Sequence, residues 1–395
     1  PGTMTEANTI RVTQNASGDL EVAESMDFHN VSDRLYENKD NKYVDISDKA
    51  EILNVAFGLS AVIADFNDDF LPDIYVCNDF AKPDRLLINS GNNTFEDKIH
   101  DFFKHTSFSS MGSDYADINN DELLDLMTLD MAPRENYRRK MLLATQNYDK
   151  FEKMRTYGYG AQYAANALQL NLGIESYSDI AFSCNLAQTD WSWSVLMMDL
   201  DNDGLKDIHI TNGYKRDITN NDYARYDMDI LKKRFNAKEI TLSDWINQIP
   251  SNPISSYLFK NNGQTNFKDV SQSWNSGVSA FSNGAAYGDL NNDGYLDLVV
   301  NNINDYPFIM KNRGQSTLSN NYLAIEFEPN KEQIHFGTTV KLYSSDGSIQ
   351  TESLYPTRGF LSSSQQRLHF GIKKDTIIPK IEIIWPDGQY QIMTD

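Results

Sequence analysis

Asp199-Leu-Asp201-Asn-Asp203-Gly-Leu-Lys-Asp207 runs straight into Ile208-His-Ile210. The phrase occurs three more times. Asp65-Phe-Asn67-Asp-Asp69-Phe-Leu-Pro-Asp73 precedes Ile74-Tyr-Val76, and Asp117-Ile-Asn119-Asn-Asp121-Glu-Leu-Leu-Asp125 precedes Leu126-Met-Thr-Leu129. Asp289-Leu-Asn291-Asn-Asp293-Gly-Tyr-Leu-Asp297 precedes Leu298-Val-Val300. Asp, Asn or Asp, Asp and Asp recur at positions one, three, five and nine. An internal repeat of this kind is the signature of an architecture built by stacking one supersecondary unit.

The flanks repeat as well. A short small or apolar stretch leads into each loop, as in Ser60-Ala-Val-Ile-Ala64 and Ser194-Val-Leu-Met-Met198. A strand–turn–strand phrase lies upstream of three loops: Arg34-Leu-Tyr-Glu-Asn38 with Tyr43-Val-Asp-Ile-Ser47, Arg85-Leu-Leu-Ile-Asn89 with Thr94-Phe-Glu-Asp97, and Tyr257-Leu-Phe-Lys-Asn261 with Asn266-Phe-Lys-Asp-Val-Ser271. Leu168-Gln-Leu-Asn-Leu-Gly173 with Tyr177-Ser-Asp-Ile-Ala181 is a looser copy. Each unit then reads as four short strands, with the acidic loop between the third and the fourth. Four-stranded units in series predict an all-β fold of β-propeller blades.

Asp65 and Asp117 are 52 residues apart, a bare blade, whereas the next two spacings are 82 and 90. The excess predicts two helical insertions, at about 134–157 and 219–249, the second with Thr241-Leu-Ser-Asp244 as a helix start. Such insertions emerge on one face of a repeat fold, where they either carry function or cover a blade edge. The repeat region is taken as 31–313, after a remnant of an upstream segment at 1–30. Beyond a polar junction at 316–321, residues 321–395 alternate as strands, and Pro386-Asp-Gly388 marks a turn. The expectation is a separate small β domain, whole or cut short at Asp395.

The loops point to a hard divalent cation. Calcium takes six to eight oxygens at about 2.3–2.6 Å. In the third loop Asp199, Asp201, Asp203 and Asp207, with the backbone carbonyl of Leu205, would supply them. The matching sets are Asp65, Asn67, Asp69, Leu71 and Asp73; Asp117, Asn119, Asp121, Leu123 and Asp125; and Asp289, Asn291, Asp293, Tyr295 and Asp297. Asx-rich turns capping strands are the alternative for a single copy, but four copies in register weigh against it. Without a cation the clustered carboxylates would repel. An EF-hand would carry Glu at position twelve, where Val76, Thr128, Ile210 and Val300 stand instead. Magnesium prefers fewer protein ligands, and zinc lacks His or Cys ligands. Position six is Gly204 and Gly294 in two loops but Phe70 and Glu122 in the others, so the third loop is expected to bind tightest.

Composition narrows the partners. Lys and Arg number 35 against 56 Asp and Glu, for a net charge of −21, which disfavours nucleic acid. Four divalent cations, one per loop, would offset part of this. Cys77 and Cys184 are the only cysteines, so there is no disulfide framework. One bridge or two unpaired thiols are both open at this point. No apolar run approaches the length of a membrane span, and no signal peptide is visible. The opening Pro1-Gly2-Thr3-Met4 reads as a fragment or a processed form.

These phrases resemble FG-GAP (VCBS) repeats of integrin-α-like propellers, with Phe57-Gly58 before the first loop. Asp73-Ile-Tyr-Val-Cys-Asn-Asp-Phe80, Leu129-Asp-Met-Ala-Pro133, Thr189-Asp-Trp-Ser-Trp-Ser194 and Phe281-Ser-Asn-Gly-Ala-Ala-Tyr287 resemble the bacterial cartilage-acidic-protein-like group. The tail is similar to the ASPIC/UnbV domain in Gly337-Thr-Thr-Val-Lys-Leu342, Arg358-Gly-Phe-Leu-Ser-Ser363, Leu368-His-Phe-Gly-Ile372 and Trp385-Pro-Asp-Gly388. The resemblance implies a seven-bladed propeller in an exported, Bacteroidetes-like bacterial protein. Four loops are too few for such a ring, which would need blades upstream of residue 30.

No His-Glu-x-x-His and no Gly-x-Ser-x-Gly occurs. The expected function is a calcium-binding, extracytoplasmic adhesion or recognition module, secreted, periplasmic or on the outer surface, for a protein or glycan ligand. An accessory glycan-capture protein and a calcium-dependent polysaccharide-acting enzyme are the alternatives. Trp191 and Trp193 are candidates for stacking a sugar, or else core aromatics.

Overall fold

The computed structural model describes residues 32–54, 56–80, 82–142, 148–274, 277–314, 318–328 and 335–394, with a short ladder pairing Val12–Gln14 and Leu20–Val22. Apart from that ladder, the segment 1–30 lies outside the described residues. Strands dominate and helices are few and short, so the fold is all-β.

Four antiparallel sheets follow one another along the chain. The first takes Phe57–Ala64, Asp73–Asp79, Arg85–Asn89 and Phe95–Asp97, in that order. The second takes Ser113–Ala116, Asp125–Thr128, Ala167–Asn171 and Tyr177–Asp179. The third takes Asp190–Met198, Asp207–Asn212, Tyr257–Asn261 and Phe267–Asp269, with Met131–Ala132 added at its inner edge. The fourth has Ser282–Gly288, Asp297–Asn302 and Phe308–Met310.

The acidic loop therefore joins the first strand of each sheet to the second, which corrects the sequence grouping by two strands. The strand–turn–strand phrase pairs with the loop strands that precede it: Ile74 lies opposite Leu87, and Ile208 opposite Phe259. Tyr36–Lys39 and Lys42–Asp45, the first such phrase, form a two-stranded ladder of their own.

The strands after the loops read as apolar runs because both of their faces are covered. Leu126 points into the layer shared with the first sheet, beside Tyr75, Cys77 and Leu86. Its neighbour Met127 points into the layer shared with the third sheet, beside Val195, Met197, Ile208 and Ile210. Leu196, Met198 and Leu258 meet Ala285, Leu298 and Val300 in the next layer. First strands of consecutive sheets lie side by side, so all four acidic loops emerge at one end of the stack. Cys77 and Cys184 sit in separate layers as buried free thiols.

Helices Asn136–Leu142 and Tyr148–Thr156 follow the second strand of the second sheet. In the third sheet the same connection carries a π-helical turn, Tyr223–Asp227, and helices Met228–Asn236 and Leu242–Gln248. Thr241 opens the last of these with a capping box: its hydroxyl accepts from Asp244 N–H at 3.1 Å, while its own N–H donates to Asp244 at 2.9 Å.

The C-terminal region builds a sheet in the order Ile349–Ser353, Thr339–Tyr343, Lys380–Ile384, Tyr390–Thr394, beside the pair Asn321–Ile325 and Leu368–Lys373. Val340, Leu342, Leu368, Phe370 and Ile383 form its own core. A small hairpin, Thr357–Arg358 with Ser362–Ser363, projects from it onto the first strands of the repeat sheets. There Gly359 N–H donates to Ser113 O at 2.9 Å, and Phe360 packs on Trp193 at 4.8 Å between ring centres. The buried Arg358 guanidinium donates to Asp114 Oδ1 at 2.8 Å and Tyr115 O at 2.7 Å. Among the described residues, no helix is long and apolar enough to cross a membrane.

Candidate metal centre

Each acidic loop closes on itself in one way, set by its Asp positions. The position-one carboxylate accepts the N–H groups of positions five and six. In the third loop these are Asp203 to Asp199 Oδ1 at 3.1 Å and Gly204 to Asp199 Oδ2 at 2.7 Å. Asp65, Asp117 and Asp289 do the same. The position-five carboxylates Asp69, Asp121, Asp203 and Asp293 accept the N–H of Leu71, Leu123, Leu205 and Tyr295, at 2.8–3.1 Å. Position nine joins the loop to the third strand. Asp207 accepts Leu200 N–H at 3.2 Å and Asn261 N–H at 2.9 Å, and Asp73, Asp125 and Asp297 hold the matching pairs. Every carboxylate oxygen has two lone pairs, so these bonds leave acceptor capacity unused.

The tight closure needs left-handed backbone at positions four and six. Position six has φ of 82° at Gly204 and 84° at Gly294, where glycine adopts it freely, and 65° at Phe70 and 72° at Glu122, where a side chain must.

Position three decides what faces position five. Asn67, Asn119 and Asn291 donate their amide to Asp69, Asp121 and Asp293, at 3.0, 2.8 and 2.9 Å. The third loop has Asp201 there, which cannot donate, and two carboxylates oppose each other. Lys260, from the third strand of the same sheet, places its ammonium against both Asp201 Oδ2 and Asp203 Oδ2.

Asp201 Oδ1 stays buried with no hydrogen-bond partner, as does Asn67 Oδ1 in the first loop. Asp199, Asp201 and Asp207 each bring a carboxylate oxygen within 4.8 Å of the other two. An ion 2.3–2.6 Å from each would span such oxygens with little adjustment. Among the described residues this is the one group of three such side chains that comes so close. In the other loops the carboxylates of positions one, five and nine do not, so a full shell there would draw on the position-three amide and on backbone. Burial raises the Asp73, Asp117, Asp125 and Asp199 carboxyls to about 7, 6, 8 and 7. It lifts Asp207 well above its ordinary range, with Asp199 and Asp201 adding repulsion. Such groups carry charge comfortably only beside a counter-cation. The residues present fit a calcium-sized ion.

Sequence reasoning missed the asparagines that back the loops. Asn89, Asn171, Asn261 and Asn312 each donate the side-chain amide to the position-eight carbonyl, at 3.1, 3.3, 3.2 and 3.1 Å. Each also accepts an N–H two residues on. Their signal was present as the Asn that ends each strand before a turn. The C-terminal domain was also missed as a neighbour of the loops. Lys341 pairs with Glu122 at 2.7 Å, His369 Nε2 bonds Asn202 Oδ1 at 2.8 Å, and Arg367 reaches Asp289 at 3.4 Å. Trp385 and Pro386 line a small cavity with Asp65 and Phe70. No single-sequence pattern announces contacts of such separation. Trp191 stacks on Tyr214 at 4.0 Å and 5° between planes, and Trp193 donates to Gly213 O at 2.7 Å, so both rings make contacts within the chain.

Fold and loops define a tandem array of antiparallel sheets, each carrying a nine-residue acidic loop, followed by a separate β domain. The FG-GAP-like repeat model matches residues 65–128 and 247–300, and the ASPIC and UnbV model matches 328–395. The chain thus carries FG-GAP-like repeats and a C-terminal ASPIC/UnbV domain. The third loop falls outside the matched spans yet has the geometry of the others. The V. cholerae biofilm matrix protein Bap1 aligns at 10% identity with a TM-score of 0.32, over 97% of this chain and 57% of its own. No curated protein matches the chain.

Proposed function

We propose that this chain is a calcium-binding recognition module working outside the cytoplasm, its four sheets being consecutive blades of a β-propeller. The observation that carries the reading is Asp201 Oδ1. This oxygen belongs to a residue only 6% exposed, has no donor, and lies in a group of three carboxylates within reach of one ion. Lys260 pairs with Oδ2 alone, so Oδ1 is left as a buried acceptor without a donor, which is costly, and a coordinated cation removes that cost. The donor set is all oxygen, which suits calcium rather than zinc. With Asn at position three, the remaining loops have fewer carboxylates and take the ion more weakly. Affinities of about 10⁻⁴–10⁻³ M fit a module that sees calcium outside cells. The bound ions hold the loops and the blade edges in place, and the exposed faces take a protein or glycan ligand. A seven-bladed ring would need three further blades.

Elemental analysis and thermal melts of the purified chain test the reading. We expect bound calcium and a higher melting temperature in calcium than in chelator. A site held at 100 times its Kd contributes about 2.7 kcal/mol. A metal-free protein with one melting curve in both buffers would overturn the proposal. Glycan and protein arrays probed in calcium and in chelator would then identify the ligand.

A further inference from the structure

The loops differ in how they touch one another. The second and third loops are joined by two side-chain amides. Asn120, at position four of the second, donates to the Gly204 carbonyl at position six of the third, at 3.0 Å. Asn261, which backs the third loop, donates to Ile118 O at position two of the second, at 2.8 Å. The same pair of bonds joins the third loop to the fourth: Asn202 to Gly294 O at 2.9 Å, and Asn312 to Leu200 O at 2.7 Å. Neither bond joins the first loop to the second. Position four of the first loop is Asp68, a carboxylate with no hydrogen to give, and Asn171 spends its amide on Leu124 O and the Tyr177 hydroxyl.

We infer that Asn120 and Asn202 are coupling residues that make loops two, three and four bind their cations cooperatively, while loop one binds alone. The inference rests on the calcium reading above. A cation gathers positions one to nine of its loop and so fixes the left-handed residue at position six. The carbonyl of that residue is the acceptor for the neighbouring loop's Asn. Once it is fixed, the neighbour's position four is held in its own left-handed geometry, between ligand positions three and five. Part of the ordering cost of the second site has then been met by the first, which is positive cooperativity without a change of fold. The effect is reciprocal, so emptying any one of the three loops weakens the other two.

The test is a calcium titration of the full chain by calorimetry, with stoichiometry from equilibrium dialysis. We expect a Hill coefficient clearly above 1 for wild type. Asp117→Ala, which empties loop two, should weaken the remaining linked sites by about 5-fold or more. Asp65→Ala, which empties loop one, should remove one site and leave the affinities and the coupling of the three linked sites unchanged. Asn120 is only partly buried and Asn120→Ala keeps every proposed ligand, so this variant should fold, bind the full number of ions, and weaken the coupling between loops two and three, which then rests on the Asn261 bond to Ile118 O alone. Asp68→Asn supplies the missing amide and should bring loop one into the cooperative set. If wild type binds calcium with a Hill coefficient of 1, or if Asn120→Ala retains full coupling, the inference fails and the calcium reading stands. If wild type binds no calcium, both fail.

Discussion

Single side chains settle how hard these loops are to close. Phe70 holds a left-handed φ of 65° on a half-exposed side chain, a conformation that costs an L-residue roughly 1–2 kcal/mol and glycine nothing. Glycine gives back part of this as unfolded-state entropy. Phe70→Gly should therefore raise unfolding free energy by about 0.5–1 kcal/mol, read from denaturant melts with the ion concentration fixed; a loss would mean that the ring's packing near Trp385 outweighs the strain. Away from the loops, Asp84 is fully buried and accepts from Asn78 N–H, the Tyr75 hydroxyl and the Ser110 hydroxyl, at 2.8, 2.7 and 2.6 Å. Burial lifts its carboxyl to about 6. Its neighbours Tyr75 and Cys77 are pushed above their ordinary ranges and do not titrate in the same window. A carboxyl raised on folding contributes its stability in full below about pH 3.8 and loses it as pH rises through about 6. The isosteric Asp84→Asn has no such dependence, and both hydroxyls can rotate to suit it. Its stability relative to wild type should grow by roughly 1–3 kcal/mol between pH 4 and 7, a pH-independent difference being the contrary result. Of these residues the sequence displayed the loop aspartates, because they recur in register; nothing in it marked Asp84, whose partners are set by packing.

At the scale of strands and loops, periodicity was legible where it is local and ambiguous where pairing is a choice. The post-loop strands announced themselves as apolar runs, and Thr241 announced its helix through side-chain to backbone bonds three residues apart. Which strands share a sheet was not legible. A strand–turn–strand phrase such as Arg85–Asn89 with Phe95–Asp97 can join the loop before it or the loop after it, and only long-range packing decides. The contact between the C-terminal strand Leu368–Lys373 and the third loop was hidden for the same reason. It depends on Gly371: a Cβ there would collide with Asp199 and with the Asn202 backbone. Gly371→Ala should force that strand off the loop, at about 1–3 kcal/mol of stability. Because Asp199 is the carboxylate disturbed, calcium affinity should fall too, and the loss should be larger for the third loop than for the first. A variant that melts lower but titrates like wild type would show that the loop tolerates the displacement.

Taken whole, the molecule ties its C-terminal domain to the repeats at two places. One is the ring of contacts over the loops, made by Lys341, His369, Arg367 and Lys206, which pairs with Glu352. The other is the hairpin that carries Arg358 down to Asp114. Most of these contacts are charged or polar, and the C-terminal domain keeps an apolar core of its own in Val340, Leu342 and Phe370. Hence the coupling between the domains depends heavily on a few ion pairs, and Asp114 is the most buried of the acids involved, with no exposed surface. Removing Arg358 strands that carboxylate away from water, a loss of about 3–5 kcal/mol for a buried pair broken on one side. Wild type in calcium should unfold in one calorimetric transition, since neither part can leave without breaking the other's contacts. Arg358→Met keeps much of the side-chain volume and abolishes the pair, so the transition should split, the C-terminal domain melting apart from the repeats. Arg358→Met with Asp114→Asn removes the stranded charge and should recover part of the stability without restoring the single transition. If Arg358→Met merely lowers one undivided transition, the hairpin stabilises the repeats locally and the loop contacts alone join the two domains.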